Sequence, residues 1–406
     1  MTGIERRYQG KTLTPVAPFA HHYLHPLAVR RQSYTLHFHP KLSFNADKKH
    51  VRDGLSTVLR TGDNLWLSCD ERTTIERLRL VGPHEFGEHC SYELTDLLDL
   101  PSDEDEEIDI EGMGEADNYL WLIGSHSLKR KKPDHKDTDT AKQIARLAKI
   151  EEEPNRYLLA RIPLVLNAKT GNYELHKEAP HPSDPSKMLT VSQLHSNSDS
   201  DANELFDFLS EDPHLKPFIK IPGKDNGFDI EGLAAAPDGR LFVGLRGPVL
   251  RGWAIVLELL PKEDKKGRLR LDKIDGAEQV YYKKHFLALG GMGLRELRQV
   301  GPDILMLAGP TMDLDGTIAV YRWPNALVHP QDSLIGPDKV ERLFDVPHGH
   351  GPTSGQDKAE GMAVLDDKHV LIVFDSPTEA RKKAPHQVVA DSFLLPSPGS
   401  SPQPQG

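Results

Sequence analysis

The chain has 406 residues, of which 37% are hydrophobic and 27% are charged, enough for one large domain or two of medium size. No run of about 18 uncharged apolar residues occurs, which excludes a membrane-spanning helix, and the net charge of -11 gives no overall basic field for nucleic acid. The two cysteines, Cys69 and Cys90, and a start without the basic-then-apolar order of a secretion signal predict a cytoplasmic protein.

Five segments of the chain share one pattern. Each has a short apolar strand, a turn rich in Gly, Asp and Asn, and a second alternating strand, which together predict a β-hairpin. These hairpins are predicted at residues 56–71, 111–127, 231–248, 295–313 and 360–377.

Further strand-like segments follow the hairpins. Third strands are predicted at 74–80, 155–166, 253–260, 317–323 and 387–395, and fourth strands at 90–98, 279–289 and 339–346. Four-stranded antiparallel units that recur every 55 to 65 residues, roughly, are typical of the blades of a β-propeller.

The interval between the second and third hairpins is about twice as long as the others. It contains two helix-prone stretches, about 138–153 and 200–218, so it holds either helical insertions or a degenerate sixth blade. The last unit lacks an outer strand, which the N-terminal strand TLHFHP (35–40) could supply to close the ring.

The sequence therefore predicts an all-β fold, a β-propeller with five recognisable four-stranded blades and five or six in total. The propeller domain is predicted to span residues 31–395, after an N-terminal segment of residues 1–30. The tail, residues 396–406, has the Pro-, Ser- and Gly-rich composition of a disordered segment.

Antiparallel blades place the start of each first strand and the end of each second strand on one face. Residues at these positions, and in the adjoining loops, are therefore predicted to meet at the channel mouth. The strand starts are Ser56, Glu111, Glu231, Arg295 and Glu360, preceded by Asp109 and Asp229; the strand ends and loops add Asp70, His126, Lys129, Arg130, Lys224, Asn226, Arg246 and Asp375.

Three glutamates in one channel, Glu111, Glu231 and Glu360, would repel one another unless a cation, an arginine or a proton neutralises them. Oxygen ligands from several strands suit Ca²⁺ or Mg²⁺ rather than a thiolate-bound metal. The glycine-rich segments lack the strand-to-helix context of a phosphate loop, and the sequence indicates no organic cofactor. For Asp109 and Asp229, a purely structural role in a tight turn is the favoured interpretation.

Four stretches of the chain carry a family resemblance: DIEGMGEADNYLWLIGSHSLKRKKPD, IPGKDNGFDIEGLAAAPDGRLFVGLRGPV, LAGPTMDLDG and KAEGMAV. They resemble a bacterial family known only as domain of unknown function 3616, and together with the strands between them the resemblance covers most of residues 50–395. This family has no established activity.

The acid-glycine strand starts more distantly resemble the gluconolactonase and paraoxonase propellers, and the esterase-like domain grouped with propeller phytases. That resemblance implies that Glu111, Glu231 and Glu360 hold a channel calcium that polarises a lactone or an ester. This sequence departs from the pattern in the fourth repeat, where Arg295 replaces an oxygen ligand, and in the first repeat, where Ser56 is a weak one.

The leading hypothesis is a metal-assisted hydrolase of a small anionic ester, lactone or phosphoester. In it, Glu111, Glu231 and Glu360 bind the metal, and His126 and Arg295 are catalytic. The substrate-binding residues would be Lys129, Arg130, Lys224, Asn226, Arg246 and Asp375. The alternative is a propeller without turnover that binds a ligand or a protein partner, because the sequence lacks a convincing nucleophile. Neither hypothesis involves a membrane or a nucleic acid.

Overall fold

The structure is a computed structural model that describes residues 31–397, except for 71, 103–106, 135, 197–201, 275–279 and 313. The predicted N-terminal segment 1–30 and residues 398–406 of the predicted tail lie outside the described residues. Among the helices of the described part, none is both long and apolar enough to cross a bilayer.

An N-terminal strand, β1 (Arg31–His37), precedes the first four-stranded meander, which we call unit 1. Each strand of unit 1 pairs antiparallel with the next, and Gly62 takes a φ of 56° in the first turn, a conformation that favours glycine. The strands are β2 (Leu55–Thr61), β3 (Asn64–Cys69), β4 (Thr74–Gly82) and β5 (Glu85–Glu93).

Unit 2 is built in the order β11-β10-β7-β6, with several insertions between its strands. The pairs β8–β9 and β12–β13 form two-stranded ribbons, and β14 pairs with β10. The strands are β6 (Ile110–Ala116), β7 (Tyr119–Gly124), β8 (Lys129–Arg130), β9 (Ile150–Glu151), β10 (Leu159–Asn167), β11 (Asn172–Leu175), β12 (Glu178–His181), β13 (Asp184–Thr190) and β14 (Ser192–Gln193).

Two short α-helices lie in this long interval, α1 (Thr140–Leu147) and α2 (Glu204–Leu209). They are shorter than the predicted helical stretches, because residues Ile150–Glu151 pair as β9 and residues Lys216–Phe218 form a 3-10 turn. In the part of the interval that the structure describes, ribbons and short helices are found and no additional four-stranded sheet.

Units 3 and 4 repeat the meander. Unit 3 has the strand order β15-β16-β17-β20, with β18 and β19 as a separate ribbon, and unit 4 the order β21-β22-β23-β25. The short strand β24 adds in parallel to β20. The strands are β15 (Asp229–Ala235), β16 (Leu241–Gly247), β17 (Trp253–Leu259), β18 (Pro261–Glu263), β19 (Leu269–Leu271), β20 (Tyr282–Ala288), β21 (Gly293–Val300), β22 (Asp303–Gly309), β23 (Ile318–Trp323), β24 (Ser333–Ile335) and β25 (Glu341–Val346).

Unit 5 contains β26 (Lys358–Asp366), β27 (His369–Asp375) and β28 (Gln387–Leu394), and β1 lies at its outer edge. Strand β1 pairs antiparallel with β28 from Arg31↔Phe393 to His37↔Gln387, and Thr35 and Leu36 also pair in parallel with β5. The sequence placed this strand at 35–40, and the structure corrects it to Arg31–His37, because the pairing with β28 sets its limits.

The glycine of the repeated acid-glycine pair lies where successive first strands approach closely. A Cβ atom on Gly112 would lie 2.7 Å from the Leu233 nitrogen in β15, and one on Gly361 would lie 2.9 Å from the Val58 nitrogen in β2. A Cβ on Gly232 would likewise lie 3.0 Å from the Glu296 Cα in β21. The first strands therefore pack side by side around a common axis, and glycine permits this approach.

Buried apolar clusters join each unit to its neighbours. Alternate residues of one second strand point to opposite faces of the sheet, so Val243 packs toward unit 2 and Phe242 toward unit 4. Further clusters join unit 1 to unit 2, unit 4 to unit 5, and unit 5 back to unit 1 through Leu36 and Leu371. Both faces of the second strands are thus buried, which explains their nearly continuous apolar sequences. The fold is all-β and of the propeller type.

A buried arginine, Arg298, links the first strands of several units. The Arg298 guanidinium donates to the carbonyl oxygens of Met113 (3.0 Å) and Leu233 (3.2 Å), on two other units. It also pairs with Glu296 at 2.7 Å, and Glu296 accepts a hydrogen bond from Thr57. Thr57 and Glu296 occupy the positions that are glycine in the other units, so these two departures from the repeat supply hydrogen-bond partners to Arg298.

Candidate functional site

A small polar cavity lies on the face where the first strands begin. Its volume is about 40 Å³. That is room for roughly three water molecules, since each requires about 10–15 Å³. It is lined by Ser56, Asp70, Glu111, Lys224, Glu231, Arg246, Arg295, Met312, Leu314, Lys358, Glu360 and Asp375.

The repeat accounts for most of this lining. Residues at the starts of all five first strands reach the cavity, and the ends of β3, β16 and β27 add an acid, an arginine and a second acid. Among the residues predicted from the sequence as site residues, the structure brings together Glu111, Lys224, Glu231, Arg246, Arg295, Glu360 and Asp375.

Two arginines neutralise much of the acidic ring. Arg246 pairs with Asp229 at 2.5 Å and also contacts Glu231. Arg295 pairs with Glu360 and lies 3.9 Å from the second oxygen of Glu231. Two of the three predicted metal ligands, Glu231 and Glu360, are therefore engaged by guanidinium groups.

A different group of carboxylates has the spacing of a cation site. One oxygen from each of Asp70, Asp109 and Glu111 lies within 4.8 Å of the others. Asp109 takes a φ of 55° and pairs with Arg156 at 2.9 Å on its other side, so its orientation is fixed. Three carboxylates from two adjoining units supply the hard oxygen ligands that Ca²⁺ and Mg²⁺ prefer.

The pKa values of this cluster reflect mutual repulsion as well as burial. Desolvation raises the pKa of Asp70 to about 7, and the charges of Asp375 and Asp109 act in the same direction. Desolvation and the charges of Asp109 and Asp70 also hold the pKa of Glu111 well above its ordinary value. Burial and mutual repulsion therefore favour the protonated forms of Asp70 and Glu111, whereas a bound cation would favour their ionised forms.

The cationic side chains of the cavity keep their charge. Although desolvation favours its neutral form, the charges of Asp70 and Asp109 raise the pKa of the Lys224 amine. Burial opposes the charge of Arg246, but Asp229 and Glu231 more than offset that effect and raise its pKa. The cavity thus combines permanent positive charges with acids that can take up protons.

Glu231 sits at the junction between the two arginines. Burial raises its pKa to about 8, even though Arg246 favours the carboxylate, and the charge of Glu360 raises it further. One of its oxygens, Oε2, has no hydrogen-bond partner among the described residues. This buried oxygen belongs to a residue that lines the cavity, and it is available to a ligand.

His126 does not line the cavity, contrary to its predicted catalytic role. Its φ of 52° turns the ring into the protein, where it is 1% exposed. There its Nδ1 lies 2.9 Å from the Gly124 carbonyl oxygen and its Nε2 lies 2.8 Å from the Asn203 amide, while burial lowers its pKa to about 4. These contacts are those of a buried structural histidine.

Three predicted substrate-binding residues also lie outside the cavity lining. Lys129 pairs with Glu107 at 2.6 Å, and Arg130 pairs with Asp225 at 2.5 Å. Asn226 takes a left-handed φ of 67° and ends the turn that carries Lys224. Ion pairs and turn geometry therefore account for these residues.

From the sequence, Asp70 is predicted on this face but not as a metal ligand, and Asp109 is predicted to have a structural role. The signal for Asp70 is its position at the end of a second strand, which is equivalent to that of Asp375. The proximity of Asp70 to Asp109 depends on how units 1 and 2 pack, which no local pattern encodes.

No curated protein matches the chain. Among solved structures, a streptogramin B lyase is 9% identical over 89% of this chain and 98% of its own, with a TM-score of 0.32. The PQQ-bound aldose sugar dehydrogenase from Streptomyces coelicolor is 11% identical over 90% of this chain and 100% of its own, with a TM-score of 0.33. These similarities are too weak to bear on activity. A sequence model described as "Protein of unknown function (DUF3616)" matches residues 54–391, and the chain therefore belongs to that family, as its motifs predict.

Proposed function

We propose that the five units form a closed five-bladed propeller in which β1 is the outer strand of the fifth blade. The pairing of β1 with β28 and the apolar cluster between units 5 and 1 support this closure. The cavity then forms a pocket at the end of this ring where the first strands begin, and Arg298 links three of the first strands through hydrogen bonds to the Met113 and Leu233 carbonyl oxygens.

In this pocket we propose a metal-assisted hydrolysis of a small anionic ester, lactone or phosphoester. The observation that carries the proposal is the cluster of three carboxylates, Asp70, Asp109 and Glu111, of which Asp70 and Glu111 line a pocket that is also lined by four cationic side chains. Such a pairing of hard oxygen ligands with Lys and Arg suits a cation and an anion bound side by side.

The cation site of the proposal differs from the predicted one. Glu111 remains a ligand, while Asp70 and Asp109, whose oxygens lie within 4.8 Å of it, take the places of Glu231 and Glu360. A divalent cation there would supply Lewis acidity, polarising the ester or phosphoryl oxygen.

The surrounding side chains then have distinct roles. Lys224, Arg246 and Arg295 bind the anion and stabilise negative charge that develops during the reaction. Asp375, whose pKa is raised by burial and by Glu360, accepts the proton of the attacking water. Ser56 contributes a hydroxyl group to the lining. Because this hydroxyl is hydrogen-bonded to Ser68 at 2.8 Å, water is a better candidate for the nucleophile than Ser56.

The second candidate is a binding pocket without turnover. It is favoured by the arginine-carboxylate pairs, because Arg246 and Arg295 are fixed by acids and suit recognition as well as catalysis. The same residues bind the ligand in both candidates, and only the chemical step distinguishes them.

The test begins with titration calorimetry of Ca²⁺, Mg²⁺ and Mn²⁺ into chelator-treated protein at pH 7.5. We expect one of these cations to bind, and Asp70→Asn to weaken binding by about tenfold or more through loss of a charged ligand. Asp47→Asn, which changes an exposed aspartate elsewhere, is the matched control and should bind as the wild type does.

A screen of aryl esters, lactones and phosphoesters, with and without chelator, then decides between the candidates. Turnover that is lost with chelator and restored by the cation supports the hydrolase. Cation binding without turnover supports the binding pocket. If the wild type binds none of the three cations, the proposed metal site is wrong.

A further inference from the structure

The cavity has an apolar wall that its charged lining does not explain. Met312 and Leu314, in the loop between β22 and β23, line the cavity and are 40% and 58% exposed. Neither side chain belongs to any of the buried apolar clusters of the described structure. Single exposed apolar residues are common on proteins, but here two of them border one polar pocket.

The loop that carries these side chains is anchored by other residues. Asp315 accepts a hydrogen bond from the Gly355 nitrogen at 2.9 Å and another from the Ser354 hydroxyl, both in the loop before β26. The Leu314 nitrogen also donates to the Met312 carbonyl oxygen at 2.8 Å. The position of the apolar wall is therefore set by polar contacts behind it and does not depend on burial of Met312 and Leu314 themselves.

The cavity is large enough to hold only the headgroup of a larger ligand. A volume of about 40 Å³ accommodates roughly three water centres, which is the scale of a single carboxylate or phosphate headgroup. We call the charged residues that line the cavity the charged floor. A larger ligand must extend from this floor past the rim of the cavity. At that rim it meets Met312 and Leu314.

We propose that the ligand of this cavity is a small amphipathic anion, with a carboxylate or phosphate headgroup on the charged floor and an apolar chain against Met312 and Leu314. The inference rests on the proposed function only in placing an anion in this cavity. It adds that selectivity among anions is set by the apolar part of the ligand, since the charged floor recognises the headgroup alone.

The test is titration calorimetry with two homologous series, acetate to hexanoate and methyl to hexyl phosphate, on the full chain with the bound cation. We expect the dissociation constant to fall with each added methylene, by up to about fourfold per group. The carboxylate and phosphate arms distinguish the two headgroups.

The double variant Met312→Ser/Leu314→Ser should abolish the dependence on chain length while it keeps the affinity for the shortest anion. The control is Val328→Ser/Leu334→Ser, which removes two other exposed apolar side chains, 67% and 63% exposed, away from the cavity lining. It should retain the full chain-length dependence. Asp315→Ala removes the hydrogen bonds to Ser354 and Gly355 that anchor the loop and leaves the charged floor unchanged. This variant should weaken the dependence of affinity on chain length.

The outcomes are distinguishable. If methyl phosphate or acetate binds and the hexyl compounds bind no more tightly, the amphipathic ligand is wrong while an anion site at the cavity stands. If the serine double variant keeps the chain-length dependence, the assigned wall is wrong. If no member of either series binds, both this inference and the proposed function are overturned.

Discussion

At the residue scale, Gly112, Gly232 and Gly361 explain why glycine follows the acid in three repeats. The glycine faces the backbone of the neighbouring first strand, and the acid before it faces the cavity. The acid-glycine pair therefore joins two requirements, close packing of the ring and a charged pocket. In the fourth repeat the charged residue that faces the cavity is Arg295, and the residue after it is Glu296 instead of glycine. There Glu296 accepts a hydrogen bond from Thr57.

We expect Gly112→Ala to lower the free energy of unfolding by about 2–3 kcal/mol, as an added methyl forced against a close-packed neighbour does. The Cβ would lie 2.7 Å from the Leu233 nitrogen, and a backbone atom cannot move aside as a flexible side chain can. The measurement is equilibrium urea denaturation. Gly82→Ala is the matched control, because the nearest atom to its Cβ would be 4.0 Å away. An equal effect of both substitutions would contradict the role given to Gly112.

His126 shows why the role of a single residue is harder to predict from the sequence than the position of a strand. The sequence places it at the end of a second strand, like Asp375, and the position alone suggests a cavity residue. In the structure His126 has a left-handed φ of 52° and a buried side chain, and its contact with Asn203 joins residues that are 77 positions apart in the chain. Neither the conformation nor the contact leaves a signal in the local sequence.

At the scale of the elements, the second strands and the third strands are predicted closely, for example 253–260 against Trp253–Leu259. Their apolar sequences are nearly continuous because both faces are buried between units. The ends of other elements depend on tertiary pairing. The residues Ile150–Glu151 lie in a helix-prone stretch but pair with Lys129–Arg130 instead.

Strand β1 offers the test of ring closure. Leu36 is completely buried in the cluster that joins units 5 and 1, so we expect Leu36→Ala to lower the free energy of unfolding by about 2–5 kcal/mol. Leu334→Ala, at a leucine that is 63% exposed in β24, should change it by less than about 0.5 kcal/mol. Denaturation of the two variants and the wild type checks this prediction, and a Leu36→Ala protein as stable as the Leu334→Ala protein would show that β1 does not hold the ring together.

At the scale of the whole molecule, the buried acids of the cavity link stability to pH and to the cation. The pKa of Asp70 is raised to about 7 and that of Glu231 to about 8, in both cases first by desolvation. In the unfolded chain both carboxyls lose their protons near pH 4 (about 3.9 and 4.3). The folded protein therefore binds more protons than the unfolded chain over this interval, and stability must fall as the pH rises through it.

Histidines with lowered pKa values have the opposite effect at lower pH. Burial lowers the pKa of both His50 and His126 to about 4, so these residues cause stability to rise with pH up to about their unfolded value of 6.5. The interval from about pH 7 to 8.5 lies above that titration, and there the carboxyls determine the sign.

We therefore expect the free energy of unfolding, measured by urea denaturation in chelator, to decrease between pH 7 and pH 8.5. Glu231→Gln should make this decrease smaller, because glutamine is isosteric with the protonated acid and does not ionise. In the presence of the cation that binds at Asp70, Asp109 and Glu111, the decrease should diminish or reverse, since the cation binds the ionised carboxylates and adds stability by mass action. A wild-type protein that becomes more stable between pH 7 and 8.5 in chelator would mean that these acids are ionised in the folded state at neutral pH. The cavity would then be a permanently charged site, to which a cation would bind without displacing protons.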